Sequence, residues 1–230
     1  MLANKPRAPV RISVLVPCAA GHINILPELA GFLAQQESVP DEVVIAASGV
    51  SAHQLTRASD AFKQRNLTVR LTISNARANA GQNRNRAASV ATGDVLVLQD
   101  ADDVPHPQRI QLIRSLFEHF NVDHLTHWYC HYRTVSIGRW LAGRCDYADA
   151  VAKTDYVTAP SSDCRITNGN PAIRKTVFQR TRWVEHLPWG EDVTFNAAAA
   201  KDGWRCAIIP ESLLYYRQNL SVTPYVGHGK

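Results

Sequence analysis

The chain has 230 residues, with 25 Lys+Arg against 20 Asp+Glu and a formal net charge of +5. Apolar residues make up 45% and charged residues 20%, which excludes collagen-like, coiled-coil and disordered chains. That length fits one large domain or two small ones, with a core that needs no staples.

Strand and helix signals alternate through the first half. Arg11–Val16 (RISVLV) is a β-branched run closed by Pro17. Ile25, Leu26, Leu29, Phe32 and Leu33 recur at helical spacing, with Pro27 tolerable in a first turn. Glu42–Ala47 is a second apolar run, broken by Ser48-Gly49. Ser51–Arg65 reads as a helix, Thr68–Ile73 as a strand, Gln82–Ala91 as a short helix stopped by Gly93, and Asp94–Gln99 as a fourth strand. Pro107–Phe120 is a helix with Ile110, Ile113, Phe117 and Phe120 on one face. Such alternation predicts βαβ units and a mostly parallel sheet, flanked by helices, with ligands beyond the carboxyl ends of the strands.

Past residue 122 the pattern changes. His124–Ile137 reads as one or two aromatic, β-branched strands, and Gly138–Asp163 as a loop, in part mobile. Ile173–Arg182 and Glu191–Asp202 read as helices, Arg205–Ile209 and Leu213–Arg217 as strands. No linker or repeat divides the chain. The expectation is an α/β single domain over 11–223 between short tails (1–10 and 224–230). Its Rossmann-like half (11–121) is of nucleotide-binding type and its mixed half (122–223) is variable.

Cys18, Cys130, Cys145, Cys164 and Cys206 are widely spaced with no C-x-x-C pair, so free thiols in a reducing compartment are expected. Apolar runs fall short of the roughly 18–20 residues that cross a bilayer, and MLANKPRAPV lacks an apolar signal core. A cytoplasmic protein without a transmembrane segment is expected. Basic residues are scattered, so nucleic acid is not an expected partner. His124, His127 and His131 lack an H-E-x-x-H pattern and read as packed or solvated histidines.

The chemistry concentrates in VLVLQDADDVP. Asp100, Asp102 and Asp103 sit where a buried strand ends, and Asp100 and Asp102 share a side if the chain stays extended. Close like charges repel unless a cation joins them, and a hard divalent ion with oxygen ligands relieves that repulsion. The plainer alternative is a solvated Asp-rich turn. Just upstream, ANAGQNRNRAA offers Gly81 for close backbone approach, a helix N-terminus, and Arg84 and Arg86 for phosphate oxygens. Neither a P-loop nor a dinucleotide fingerprint is present.

SVLVP (Ser13–Pro17), NAGQNRNRAASVATGDVLVLQDADD (Asn79–Asp103) and WGEDVTFN (Trp189–Asn196) together resemble glycosyltransferase family 2. The resemblance implies a GT-A fold and an inverting transferase acting on nucleoside-diphosphate sugars, with Mn²⁺ or Mg²⁺ as cofactor. It implies D-x-D roles for Asp100 and Asp102, which hold ribose and metal, with Asp103 in support. Arg84, in the G-x-x-R-N segment, is implied near the donor diphosphate or base. Asp192 matches the general base and Glu191 its neighbour. Asn168-Gly169-Asn170 matches the segment that passes the donor sugar, and Pro17 and Cys18 lie where base and ribose sit. Two places depart from the pattern. Ala47-Ser48-Gly49-Val50 stands where the family carries an Asp pair that reads uracil, leaving Ser48 or a carbonyl for that contact. Asn219 stands near the usual His. UDP remains the favoured nucleotide, and a glycan or other hydroxyl compound the acceptor. The alternative is a catalytically inactive nucleotide-binding or scaffolding domain of the same fold.

Overall fold

The first four apolar runs form four parallel strands: β1 (Ile12–Ala19), β2 (Glu42–Ser48), β3 (Val69–Ser74) and β4 (Val95–Leu98). Helices α1 (Leu26–Ala34), α2 (Ala52–Lys63) and α3 (Ala80–Val90) connect them. The structure, a computed structural model, describes residues 8–157 and 170–217. The remaining elements are β5 (Val104–Pro105), α4 (Arg109–His119), β6 (His124–His131), α5 (Ile137–Leu141), α6 (Tyr147–Ala152), β7 (Asp155–Val157), β8 (Ala172–Arg174), α7 (Lys175–Arg180), α8 (Glu191–Lys201) and β9 (Cys206–Tyr216).

The sheet order is β3-β2-β1-β4-β8-β6-β9-β5, with β7 also on β9. The unbroken run of parallel pairs ends at β4. β8 runs antiparallel to both β4 and β6, while β6 and β9 are parallel. The sheet is thus parallel across its N-terminal strands and mixed beyond.

Both faces are covered. Ile12, Val14 and Val16 point into one apolar cluster with Leu29, Leu33, Phe62, Ile113 and Phe117 of α1, α2 and α4. Leu15 points the other way, into a second cluster with Ala87, Phe178, Trp183 and Phe195. This alternation along one strand is what a sheet buried on two sides requires.

Several expected boundaries move. β1 runs through Pro17, which pairs in register with Ala46. Gln99 N–H donates to Leu15 O, so Leu15, and two residues later Pro17, face the β4 side. Pairing with β4 ends at Leu15, so the missing N–H of Pro17 falls where the ladder has already stopped. α3 starts two residues before the expected Gln82, because Asn79 caps it: Asn79 Oδ1 accepts from Gln82 N–H, and the Gln82 side chain accepts from Asn79 N–H.

The Gly138–Asp163 stretch, expected as a loop, carries α5, α6 and β7 up to the last described residue, Val157. Ile173 lies in a strand rather than opening a helix, since Ala172–Arg174 bridge β4 and β6 before α7 begins. The two expected C-terminal strands are one, β9. Its register with β6 slips between His127 and Tyr129, opposite Pro210–Leu213. A bulge there breaks the alternation without ending the strand. His124 and His127 are packed: His124 Nε2 meets Asn196 Oδ1 at 2.8 Å, and His127 Nε2 accepts from Arg109 Nε at 2.8 Å. Cys18, Cys130, Cys145 and Cys206 are free thiols, and Cys164 lies outside the described residues.

Candidate active site

The acids emerge where β4 ends beside the carboxyl end of β1. The chain does not stay extended after Leu98: Asp103 N–H donates to Asp100 O at 3.2 Å, closing a turn. Gln99 Nε2 braces that turn from inside, donating to the carbonyls of Asp100 and Asp103. Asp100 N–H donates to Asn170 Oδ1, so Asn170 holds the backbone of the first acid. Asn168 and Gly169 lie outside the described residues.

Two helices bring the other charges. α3 presents Arg84, whose guanidinium forks to Asp100 Oδ1 at 3.1 Å and to Glu191 Oε1. Glu191 and Asp192 form the first turn of α8, where acids suit the helix dipole. Gly190 precedes them at φ 76°, a left-handed conformation that turns the chain into the helix without a Cβ penalty. Burial alone would lower the pKa of Arg84, but Asp100, Glu191 and Asp192 hold it above its ordinary value. Asp192 is shifted upward by burial, with Arg84 pulling the other way and Glu191 and Asp100 adding to the rise. Its carboxyl is therefore within electrostatic reach of the β4 acids, across the Arg84 bridge.

Asp102 is raised by burial and by Asp100, and His22 and Arg217 oppose the shift. Asp103 is raised well above the ordinary carboxylate range by burial, then by Asp100 and Asp102. One of its oxygens accepts from Arg217 N–H, and the other, Oδ2, is buried with no hydrogen-bond partner. Asp103→Asn keeps the bonded oxygen and removes the charge. The pKa of this group is higher folded than unfolded, so the wild type loses stability as pH rises through the folded value. In EDTA at neutral pH the variant is expected to melt higher, by about 2–4 °C for each kcal/mol relieved. The gain fades near pH 4, where an unfolded Asp is itself about half protonated. Thermal unfolding against pH measures this, and a variant that melts lower at neutral pH contradicts it.

The donor set fits a divalent cation in chemistry: hard carboxylate oxygens, mutual repulsion and an orphaned buried oxygen at Asp103. It does not form a finished cage. Among the described residues no three His, Cys, Asp or Glu side chains are arranged to hold an ion. Further ligands would come from a donor diphosphate and water.

The other expected residues are placed as follows. Pro17 and Cys18 are buried at the end of β1, and the Cys18 thiol is pushed up to about 12 by burial and Asp102. Ser48 Oγ accepts from Asn83 Nδ2 and donates to Ala78 O, so its hydroxyl is already engaged. The groups expected at phosphate also have partners within the chain. A Cβ on Gly81 would stand 2.5 Å from Val184 O, so the close approach is to the chain's own backbone. At the start of α3 the capping box takes the N–H groups of Asn79 and Gln82. Arg84 grips carboxylates, and Arg86 donates to Ala47 O and Asn83 Oδ1.

Three residues of the site escape a sequence reading. His22, in the turn after β1, lies 3.7 Å from Asp102 Oδ2. Arg217 donates through Nε to Asp102 O at 2.6 Å and through its backbone to Asp103. Arg109, at the start of an amphipathic helix, reads as a surface residue yet is fully buried. It donates to Gln99 Oε1, His127 Nε2 and the carbonyls of Leu98 and Asn170, bracing the acidic turn from behind. His22 had one signal, its place in a loop at a strand's carboxyl end, and Arg109 had none. Asn219 lies outside the described residues.

Comparison with known proteins identifies similar chains. The family profile described as "Glycosyltransferase like family 2" matches residues 8–224. Amylovoran biosynthesis glycosyltransferase AmsB of Erwinia amylovora is 27% identical over 109 residues, which is 47% of this chain and 36% of AmsB. S. aureus TarS 1-349 in complex with UDP superposes with a TM-score of 0.69 at 20% identity, over 90% of this chain and 60% of that one. The mannosyltransferase PcManGT from Pyrobaculum calidifontis in complex with GDP-Man and Mn²⁺ gives 0.65 at 20% identity, over 94% of this chain and 59% of that one. The chain thus spans about a third of AmsB and about three fifths of the TarS structure. The fold is that of the GT-A glycosyltransferases. Among the described residues no helix is long and apolar enough to cross a membrane.

Proposed function

This chain belongs to glycosyltransferase-like family 2, and we propose that it moves a sugar, with inversion, from a nucleoside-diphosphate donor to an acceptor hydroxyl. UDP is the favoured nucleotide. The observation that carries this reading is the Arg84 bridge, which ties the acids after β4 to the acid pair opening α8. Sugar transfer needs a grip on the leaving diphosphate and a base for the incoming alcohol in one pocket, and these two groups supply them.

Roles divide by environment. Glu191 has an oxygen occupied by Arg84, so it sets the geometry of the pair. Asp192 takes the acceptor proton, and a single positioned base suffices for in-line inversion. Asp102 and Asp100 would hold Mn²⁺ or Mg²⁺, with Asp103 beside them. The ion, when bound, supplies Lewis-acid stabilisation of the departing diphosphate. Arg84 holds the Asp100 carboxylate in place, and Arg217 fixes the Asp102 carbonyl and the Asp103 side chain. Asn170, through Asp100 N–H, keeps the first acid in place.

A panel of UDP-, GDP- and dTDP-sugars, assayed with Mn²⁺ and with EDTA, tests the reading. Turnover of at least one donor, lost in EDTA, is expected. For Asp102→Ala, the nucleotide-dependent Mn²⁺ affinity measured by titration calorimetry should drop about tenfold or more. One observation favours the alternative of an idle nucleotide-binding domain: Ser48, at the place of uracil recognition, spends its hydroxyl inside the protein. Nucleotide binding without turnover across the whole panel would establish that alternative.

A further inference from the structure

Beside the acids the mixed half of the sheet carries a run of aromatic rings that the proposed transfer chemistry does not use. β6 and β9 pair in parallel, so partners in register share a face: Tyr129 with Leu214, and His131 with Tyr216. On that face Tyr129 meets Tyr216 edge-on, with centroids 5.8 Å apart at 71°. His131 lies 5.8 Å from Tyr216 and 4.6 Å from Tyr132. Hydrogen bonds fix the far edge of the group: Tyr132 N–H donates to Tyr216 O at 3.2 Å, and Tyr215 Oη donates to Val135 O at 2.9 Å.

Two features mark these rings as more than packing. Tyr129, next to the register slip, is 53% exposed in the middle of a ladder. Burial, and after it the charges of Asp103, Asp102 and Asp100, push the Tyr216 phenol up to about 12, and Tyr215 pairs with Val104, the residue after Asp103. The Tyr216 hydroxyl therefore keeps its proton, and the platform borders the donor acids.

We propose that Tyr129, His131 and Tyr216 form an acceptor subsite that stacks on the face of an uncharged pyranose ring, so that the acceptor is a neutral glycan. This rests on the glycosyltransferase reading above and narrows its acceptor. The ring faces are electron-rich, and the C–H bonds on one face of a pyranose are weakly positive, so the two surfaces attract. Phenol hydroxyl edges suit the sugar's own hydroxyls, as a site with few placed polar groups requires. Asp103, Asp102 and Asp100 bear on Tyr216 and repel a phosphorylated or otherwise anionic acceptor, while the adjacent Arg217 is taken up by Asp103, Asp102 O and Glu28.

The test uses the whole chain with UDP and Mn²⁺. Saturation-transfer NMR and titration compare cellotriose, maltotriose and chitotriose with glycerol 3-phosphate. At least one neutral trisaccharide is expected to bind. Tyr129→Ala should weaken that binding about tenfold, the loss typical of an exposed aromatic anchor, and Tyr129→Phe should restore it. Binding of glycerol 3-phosphate alone, of no trisaccharide, or of a trisaccharide equally well by Tyr129→Ala overturns the subsite. UDP titration of the wild type separates the two failures. Absent nucleotide binding defeats the parent reading, whereas nucleotide binding with a Tyr129-independent sugar response defeats only the platform.

Discussion

Asp192→Asn is expected to lower sugar transfer by about 10²–10⁴-fold, the usual worth of a positioned general base. Nucleotide affinity should change far less, because Asp192 stands on the α8 side of the Arg84 bridge and the diphosphate grip on the β4 side. The substitution is isosteric and removes one of three carboxylates around Arg84, so the fold loses little. Burial raises the pKa of Asp192, and only the ionised form accepts a proton. The acid limb of the wild-type kcat profile should therefore lie above the ordinary Asp value of about 3.9. Activity rises with pH through that limb, and the limb should vanish in whatever activity Asn leaves. Glu191→Gln gives the contrasting result. It loosens the bridge without removing the base, so the limb persists while the rate falls. Turnover of Asp192→Asn near the wild-type level, or an unmoved acid limb, would remove Asp192 from the chemistry.

The N-terminal half was legible because its signals are local. RISVLV, EVVIAA and DVLVLQ are apolar runs that make sense only between two covering layers, and the clusters on either side of β1 are those layers. Even Pro17, which looks like a stop, is tolerated for a reason the sequence cannot display: its neighbour strand ends first. The C-terminal half hides its order in non-local pairing. Three-residue β8 exists because β4 and β6 flank it, and β9 continues past Pro210 because β6 and β5 hold it. In the site, the acids were legible from their place after a buried strand. What they touch was not. An Arg after a Gly-rich turn points as readily to a phosphate as to a carboxylate, and only the packing of α3 against α8 decides in favour of Glu191 and Asp100. Arg109 makes the same point more strongly, since four acceptors drawn from three other segments bury its charge.

Arg84→Met should be the most damaging single change to the fold of this site. The guanidinium is buried, and it is the shared counter-charge of Asp100, Glu191 and Asp192. Methionine fills similar space but leaves those carboxylates facing one another in a desolvated pocket. Removing one partner of a buried ion pair costs about 3–5 kcal/mol, far more than the pair itself contributes. For a chain of this size that corresponds to a fall in melting temperature on the order of 10 °C. The sign of the pH dependence identifies the cause. Without Arg84 the pull that opposes the upward shift of Asp192 is gone, so the folded variant binds a proton that its unfolded chain has released. Its stability therefore falls as pH rises through that folded value, and its deficit against the wild type widens from acid towards neutral pH. Arg84→Lys recovers only part, since one ammonium cannot fork to acids on two elements. Adding Glu191→Gln to Arg84→Met should recover part of the loss by deleting one stranded charge, a coupling that a double-mutant cycle reads directly. Thermal unfolding across pH 5–8 is the measurement. A melting temperature for Arg84→Met equal to that of the wild type, with the same pH slope, would mean that the acids share no common counter-charge, and the pocket that joins donor and base would lose its physical basis.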